Sequence, residues 1–255
     1  MTAKAIPQST DPTVRYLSTS QAYDLWAAVY DTDGNFLQAL DTIEMKTLIP
    51  RLLSLLEASC LSRPWKLVDL GCGTGRNTAA LLEVDGATVV GLDVSPGMLE
   101  VAKRRLEDSA AKGKLSLGVF DMIEQDSASE MALNADAIVS TLVLEHIPVE
   151  VFFKHVAKML KPGGYLLLTN MHSEMGGISQ AGFVDPDTGE KIRPTSYAHT
   201  VAEVEAEAAK NGFETVGGNM KERSVDQSLV PRLGERSAKW LGVKVWFGGI
   251  FCKKS

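Results

Sequence analysis

Short apolar runs alternate with amphipathic stretches along the chain from Trp65 onward. Seven of these runs have the length and apolar content of strands, and they span residues 66–70, 88–93, 115–121, 135–141, 165–171, 213–223 and 243–252. Strands that alternate with amphipathic helices are typical of a mostly parallel sheet with helices on both faces. The pattern therefore predicts an α/β fold.

Helix start and stop signals fall between these runs. Ser95 followed by Pro96 is typical of an N-cap and the first helical residue, and Gly113 can end that helix. Thr200 and Glu203 have the spacing of a capping box, in which each side chain accepts from the other residue's backbone N–H. These signals predict helices in the connections between strands.

Two segments outside the alternation are expected to cover the sheet. One contains two predicted helices with aromatic residues at Tyr23, Trp26 and Tyr30, and we interpret it as a helical lid. The other is a connection far longer than the usual 4–6 or so residues, and such connections are often functional loops. The predicted organisation is a disordered tail over residues 1–16, the lid over 17–62, and a core over 63–255 with a substrate-loop insertion at about 172–199.

The composition narrows the class of protein. Of 255 residues, 26 are Lys or Arg and 32 are Asp or Glu, and without a basic block we expect no nucleic-acid partner, because neutralising phosphates requires a concentrated basic surface. No apolar run reaches the roughly 20 residues of a membrane-spanning helix, so no membrane partner is expected. Cys60, Cys72 and Cys252 are too scattered for a disulfide framework or a zinc site. Together with a polar N-terminus they favour a cytoplasmic protein.

The most informative segment is a glycine-rich turn directly after a predicted strand. Gly71, Gly73 and Gly75 alternate there with other residues, and glycines let the backbone turn sharply and approach a ligand at the strand end, where open α/β sheets bind nucleotides. Arg76 stands where a dinucleotide fingerprint would have its third glycine. No Gly-Lys-Ser/Thr of a phosphate loop follows.

Three carboxylates lie at successive predicted strand ends. Asp69, two residues before the first glycine, would repel a pyrophosphate and suits a ligand with an ammonium or sulfonium group. Asp93 is placed to accept from both ribose hydroxyls, and Asp121 to accept from an adenine amino group. Singly, each could equally be a helix cap or turn residue; together they favour a nucleoside site.

From Tyr23 to the C-terminus, the chain resembles the class I S-adenosylmethionine-dependent methyltransferases. The resemblance rests on the order and spacing of Asp-Leu-Gly-Cys-Gly-Thr-Gly at 69–75, Gly-Leu-Asp-Val-Ser at 91–95 with Met98, Leu-Glu-His-Ile at 144–147 and Leu-Lys-Pro-Gly-Gly at 160–164. It implies a Rossmann-like seven-stranded sheet of order 3-2-1-4-5-7-6, with helices on both faces and residues 243–252 as an antiparallel last strand. It also implies S-adenosyl-L-methionine as the cofactor.

The resemblance also implies where the cofactor would lie. The glycine loop would face its methionine part, with Asp69 ordering the amino group, and an N-terminal tyrosine, here Tyr30, would cover its carboxylate. Asp93 would bind the ribose, and the next strand ends would hold the adenine and the methyl donor. The implied cofactor-binding residues are Tyr30, Asp69, Gly71, Gly73, Gly75, Asp93, Val94, Met98, Asp121, Met122, Thr141 and Leu142.

The acceptor side is less determined. A general base is needed only if the acceptor holds its proton near neutral pH, and His146 and His172, which follow predicted strand ends, are the candidates, against structural or wall roles. No metal is predicted, because the carboxylates lie on different strand ends. Residues that could contact substrate or equally pack the lid and loop are Tyr23, Trp26, Phe183, Arg193 and Tyr197.

The leading functional hypothesis is methyl transfer to an O, N or S atom of a small-molecule acceptor, because the lid and the insertion would close the pocket. The alternatives are a protein methyltransferase acting on a regulatory or chromatin protein, a non-catalytic methyltransferase-like subunit and an NAD-dependent oxidoreductase. The intact glycine loop argues against the non-catalytic subunit, and Asp69 with Arg76 argues against the oxidoreductase. A monomer or a homodimer is expected, with a protein partner as an alternative.

Overall fold

The computed structural model describes residues 5–254 of the chain. The strands in this part are β1 (Val14–Tyr16), β2 (Trp65–Leu70), β3 (Ala87–Asp93), β4 (Leu115–Val119), β5 (Ala135–Thr141), β6 (Leu160–Met171), β7 (Phe183–Val184), β8 (Lys191–Arg193), β9 (Phe213–Thr215), β10 (Lys221–Ser224) and β11 (Lys244–Lys253). The helices are α1 (Thr19–Trp26), α2 (Phe36–Ala58), α3 (Arg76–Leu82), α4 (Pro96–Arg105), α5 (Glu107–Ala111), α6 (Val149–Met159), α7 (Ser173–Gly176), α8 (Val201–Lys210) and α9 (Val230–Leu233). Short 3₁₀ helices lie at Glu130–Ala132, Leu144–His146 and Glu235–Trp240.

The main sheet has the strand order β10-β11-β6-β5-β2-β3-β4, and β9 also pairs with β11. The strands from β2 to β6 run parallel, whereas β11 is antiparallel to β6. This arrangement confirms the predicted α/β fold, with an antiparallel last strand inserted beside β6. The carboxyl ends of β2, β3 and β5 therefore meet at one edge of the sheet.

The sixth predicted strand is interrupted. Residues 213–223 form β9 and β10 with an irregular stretch between them, and both strands pair with β11. Gly217 and Gly218 lie in that stretch with φ values of 89° and 98°, which extended strands do not have. Two adjacent glycines in left-handed conformations therefore end β9 and separate it from β10.

The N-terminal segment is not a disordered tail over its described part. The strand β1 runs parallel to β8, with Val14 opposite Lys191 and Tyr16 opposite Arg193, and β8 pairs with β7. Residues 1–4 lie outside the described residues. The long connection over residues 172–199 is likewise more ordered than expected, because it supplies two strands of this small sheet. The strand β8 bonds to β1, more than a hundred residues away in the chain, and sequence periodicity does not reveal such a partner.

The predicted lid divides into two parts with different roles. The helix α2 packs into the main core, where Leu40, Leu52 and Leu56 are fully buried. Only α1 and the turn after it cover the ends of the strands. The carboxylate of Asp24 in α1 accepts from the Ser95 hydroxyl at 2.6 Å and from the Gly97 N–H at 2.8 Å. It thus satisfies one of the free N–H groups at the start of α4, where a negative charge is favoured.

The core lies on both faces of the main sheet. One apolar cluster includes α2, β2 and β11, and the other includes α6, α8 and the opposite faces of β5 and β6. A third and smaller cluster joins α1 to α4 and to the small sheet. Among residues 5–254, no helix is both long and apolar enough to cross a membrane.

Candidate cofactor and acceptor site

A cavity of about 530 Å³ lies at the carboxyl ends of β2, β3 and β5, beneath α1. This volume is within the range of about 300–1,000 Å³ typical of small-molecule sites. Its position matches the rule that ligands bind outside the strand ends of open α/β sheets. The predicted site residues that line it are Tyr23, Tyr30, Gly71, Gly73, Asp93, Val94, Asp121, Met122, Thr141, Leu142, His146 and Tyr197.

The three glycines of the loop have different surroundings, although each has a positive φ. A Cβ atom on Gly71 would lie 2.1 Å from Val143 Cγ2, so this position has no room for a side chain. A Cβ atom on Gly73 would meet nothing within 4 Å, and this residue lines the cavity. Gly75 is packed against Leu106 and does not line the cavity, so the structure does not bring it to the ligand.

Asp93 joins the glycine loop to the end of β3. One carboxylate oxygen accepts from the Gly73 N–H at 2.8 Å and the other from the Ser95 N–H at 2.9 Å. Burial raises the pKa of Asp93 to about 6, although these backbone donors oppose the shift. Each carboxylate oxygen has a second acceptor site, and Asp93 lines the cavity. The residue can therefore accept from two ligand hydroxyls while it holds the loop.

The end of β4 contributes a second carboxylate. One oxygen of Asp121 accepts from the Ile123 and Glu124 N–H groups at 2.8 and 3.3 Å. Asp121, Phe120 and Met122 all line the cavity. This edge therefore offers an acceptor between apolar side chains, as the sequence predicts for an adenine ring.

The loop after β5 is strained where it enters the cavity. Leu142 has a φ of 56°, a conformation that costs an ordinary residue about 1–2 kcal/mol. Its N–H donates to Thr169 O at 3.0 Å, and the preceding Thr141 hydroxyl accepts from the Asn77 side chain at 2.8 Å. Strain of this kind is typical of functional sites, where surrounding contacts maintain it.

Comparison with known proteins shows the family. A family model described as a methyltransferase domain matches residues 68–166. An uncharacterized methyltransferase of Emericella nidulans is 50% identical over 92% of this chain and 91% of its own length. The chain belongs to the class I S-adenosylmethionine-dependent methyltransferases. This membership confirms the predicted enzyme class and cofactor, and it excludes the NAD-dependent oxidoreductase.

Two further matches are more distant. The ubiquinone biosynthesis O-methyltransferase of Vibrio parahaemolyticus is 31% identical over 42% of this chain and 44% of its own length. The crystal structure of an S-adenosylmethionine-dependent methyltransferase from Mesorhizobium loti has a TM-score of 0.58 and 20% identity, over 80% of this chain and 96% of that one. The second match shows that the two proteins share a fold.

The cavity of the methyltransferase fits its cofactor. The open space above Gly73 leaves room for a ligand against the backbone, and the free acceptor sites of Asp93 and Asp121 suit ribose hydroxyls and an adenine amino group. The structure does not bring two of the predicted cofactor residues to the cavity. Asp69 lies beneath the loop, where it accepts from the Thr78 hydroxyl at 2.6 Å, and Met98 is fully buried against α1. Neither residue lines the cavity.

Asp93→Ala is expected to weaken S-adenosylhomocysteine binding by about tenfold or more, because hydrogen bonds to a charged group contribute about 1.5–3 kcal/mol. The substitution also removes the acceptor of the Gly73 N–H. Isothermal titration calorimetry measures the change, and Asp108→Ala on the exposed helix α5 is the matched control. An unchanged affinity in Asp93→Ala would remove this carboxylate from the site.

His146 and Tyr23 form a hydrogen-bonded pair in the wall of the cavity. His146 Nδ1 lies 2.8 Å from Thr195 O, which can only accept, so Nδ1 carries the proton. His146 Nε2, 2.8 Å from the Tyr23 hydroxyl, is therefore an acceptor. Burial lowers the pKa of His146 to about 4, and burial together with nearby acidic groups raises the pKa of Tyr23 well above its usual range. At neutral pH, both groups are uncharged.

The sequence analysis missed Glu145, which lies next to this pair. Its side chain is buried and accepts from the Met171 N–H at 3.2 Å, and Oε1 lies 3.8 Å from His146 Nε2. Burial raises the pKa of Glu145 to about 8. The sequence did contain a signal for this residue. Glu145 lies in the Leu-Glu-His-Ile segment, directly before the candidate base His146 and shortly after a predicted strand.

The structure does not bring His172, the second candidate base, to the cavity. His172 Nδ1 accepts from the Glu174 N–H at 3.1 Å, so Nε2 carries the proton and donates to Glu222 at 2.7 Å. His172 thus caps the start of α7 and joins it to β10. The prediction that His172 is a base, which rested on its position after a strand, is therefore corrected. Its side chain bonds to Glu222 and does not line the cavity.

The predicted substrate residues separate into two groups. Tyr23 and Tyr197 line the large cavity. Phe183 is stacked on Trp26 with ring centroids 5.0 Å apart, and this packing attaches the small sheet to α1. Arg193 lies on β8 against Gly182 and away from the large cavity. Within residues 5–254, no three His, Cys, Asp or Glu side chains are grouped to hold a metal ion.

Proposed function

We propose that this methyltransferase acts on an O, N or S atom of a small-molecule acceptor. The observation that carries the proposal is the cover over the cavity. The helix α1 contributes Tyr23 to the wall, the turn after it contributes Tyr30, and the 172–199 insertion contributes Thr195 and Tyr197. The contacts of Asp24 with Ser95 and Gly97 attach this cover to the core. A site covered in this way suits a small acceptor better than a polypeptide chain.

The residues around the cavity divide between the two ligands. Gly71, Gly73, Asp93, Asp121 and Met122 would hold the cofactor, which supplies an electrophilic methyl group on a sulfonium. Positioning alone accounts for much of the acceleration of such a displacement, because oriented reactants gain about 7–11 kcal/mol. The wall formed by Tyr23, Tyr30 and Leu142 would align the acceptor.

Tyr23 and His146 would remove a proton from an acceptor that holds one. As the acceptor's proton moves to the Tyr23 oxygen, the hydroxyl proton of Tyr23 moves to His146 Nε2, along the existing 2.8 Å hydrogen bond. The positive charge of the resulting imidazolium, 3.8 Å from Glu145 Oε1, would favour ionisation of Glu145, which burial otherwise keeps mostly protonated at neutral pH. Burial keeps the pKa of His146 at about 4, so its ring is uncharged and its Nε2 lone pair can take the Tyr23 proton, although the same low pKa makes it a weak base.

His146→Ala is expected to lower turnover by about 100-fold or more, as is typical when a general base is lost, with little change in cofactor affinity. Tyr23→Phe, which retains the ring but cannot pass a proton, is expected to lower turnover as well. Initial rates of S-adenosylhomocysteine formation measure both effects. Full activity of both variants would make the two residues parts of the wall only.

The acceptor class is tested by measuring S-adenosylhomocysteine formation with two sets of acceptors. One set contains small phenols, amines, thiols and carboxylic acids, and the other contains histones and unfractionated cell protein. We expect turnover with members of the first set only. Cofactor-dependent methyl incorporation into protein, with none of the small compounds methylated, would favour the protein methyltransferase.

A further inference from the structure

A second cavity of about 140 Å³ lies beside the first. Tyr23, Tyr30 and Leu142 line both cavities, so these side chains form the wall between them. The buried Glu145 also lines the smaller cavity. Its volume is below the range of about 300–1,000 Å³ for drug-sized ligands, so it suits a small molecule or one arm of a larger acceptor.

The outer end of the small cavity carries three cations. Lys191, Arg236 and Lys239 line it, and all three are exposed, which places them at its mouth. Within residues 5–254, none of these three side chains has a carboxylate oxygen within 4.0 Å. Burial and the neighbouring Arg193 and Lys239 lower the pKa of Lys191, whereas Asp11 partly opposes this shift. The positive charges of these three side chains thus lie at one place, and none of them is paired with a carboxylate of the described residues.

The two acidic residues that line the small cavity do not balance these cations. Asp33 contributes one negative charge against three positive ones, and its two oxygens accept from Trp26 Nε1 and the Asn35 N–H, each at 2.9 Å, rather than from a cation. Glu145 lies at the inner end, and its pKa of about 8 leaves it mostly uncharged at neutral pH. The mouth is therefore a positively charged site with aromatic walls formed by Trp26, Phe36 and Trp240.

We propose that the small cavity binds an acceptor that carries a carboxylate or phosphate group, held at the mouth by Lys191 and Lys239. The rest of the acceptor extends inward between the aromatic walls, and its methyl-accepting atom lies against Tyr23 at the boundary with the large cavity. This inference rests on the proposed small-molecule function and names the acceptor class. Arg236 contributes charge, but it is also held in place by a hydrogen bond to Asp33 O at 2.6 Å.

The test compares matched ligands on the protein saturated with S-adenosylhomocysteine. A panel of small aromatic and aliphatic carboxylates and phosphate monoesters is paired with the neutral amide or alcohol of each, and binding is measured by calorimetry and ligand-detected NMR. We expect anionic members to bind more tightly than their neutral partners, with the preference weakened by added salt. If only the carboxylates or only the phosphate monoesters show this preference, that result identifies the anionic group of the acceptor.

The deciding variant is Lys191→Gln combined with Lys239→Gln. We expect it to reduce affinity for the anionic members by about fivefold or more, as two exposed charge pairs allow, and to leave the neutral members unaffected. Lys103→Gln combined with Lys112→Gln is the matched control, because these exposed lysines make the same change in net charge and do not line the cavity. The control should retain the preference.

Three results would overturn the inference: equal binding of anionic and neutral members, a preference that survives in the deciding variant, or no member bound at millimolar concentration. Binding of S-adenosylhomocysteine is measured first in every variant. Failure of the wild-type protein at that step would contradict the proposed methyltransferase function itself. Intact cofactor binding without anion preference would contradict only the assignment of the acceptor.

Discussion

Replacing Gly73 by valine is expected to abolish S-adenosylmethionine binding while the protein remains folded. A Cβ atom at this position meets no atom within 4 Å, so the side chain enters open space next to the loop. The φ of 53° costs a valine about 1–2 kcal/mol, which a domain with typical stability of about 5–15 kcal/mol tolerates. The added methyl groups would occupy the space that the backbone leaves for the cofactor.

Gly71→Ala is the matched comparison, because we expect this smaller side chain to destabilise the fold, whereas valine at position 73 blocks cofactor binding. Its Cβ atom would lie 2.1 Å from Val143 Cγ2, so we expect lost stability rather than a specific loss of binding. Thermal unfolding and calorimetric titration separate the two cases. Retained cofactor affinity in Gly73→Val would show that the loop does not approach the ligand.

Glu145→Gln is expected to stabilise the protein relative to wild type at pH 9 much more than at pH 6. Burial raises the pKa of Glu145 from 4.5 to about 8. Between these values the folded protein binds a proton that the unfolded chain has released, so this residue makes wild-type stability fall as pH rises. Glutamine keeps a side-chain oxygen as acceptor for the Met171 N–H and does not titrate.

The expected gain is on the order of 2 kcal/mol between these two pH values, because one pKa unit corresponds to about 1.4 kcal/mol. Denaturant unfolding of both proteins at each pH measures it. The raised pKa values of Asp69 and Asp93 affect both proteins equally and cancel in the difference. Glu107→Gln on exposed α5 should show no such trend. A constant difference across the pH range would mean that Glu145 does not titrate as the structure implies.

Several parts of this protein could be predicted from local sequence alone. The glycine loop, Asp93 and Asp121 were found because their roles depend on a strand, a turn and the residue that ends the next strand. Strand order followed from the resemblance, and the structure confirms it. In these cases the residues that determine the structure are close together in the chain, or they belong to a family pattern.

Other features depended on side-chain contacts that the sequence pattern does not show. Met98, Asp69 and His172 have suitable sequence positions, yet Met98 packs on α1, Asp69 bonds to Thr78, and His172 bonds to Glu222. A sequence pattern shows that a residue follows a strand, but not which way its side chain points or what covers it.

The sequence by itself determined the fold class, the glycine loop and the acidic residues at the strand ends, because these follow from periodicity and local backbone requirements. Tertiary structure decided how the cover is built and what it encloses. The pairing of Val14–Tyr16 with Lys191–Arg193 and the hydrogen bond between Tyr23 and His146 join segments more than a hundred residues apart. The cationic mouth of the small cavity joins Lys191 of the insertion to Arg236 and Lys239 near the C-terminus. Such contacts form only when packing of the whole chain brings their partners together.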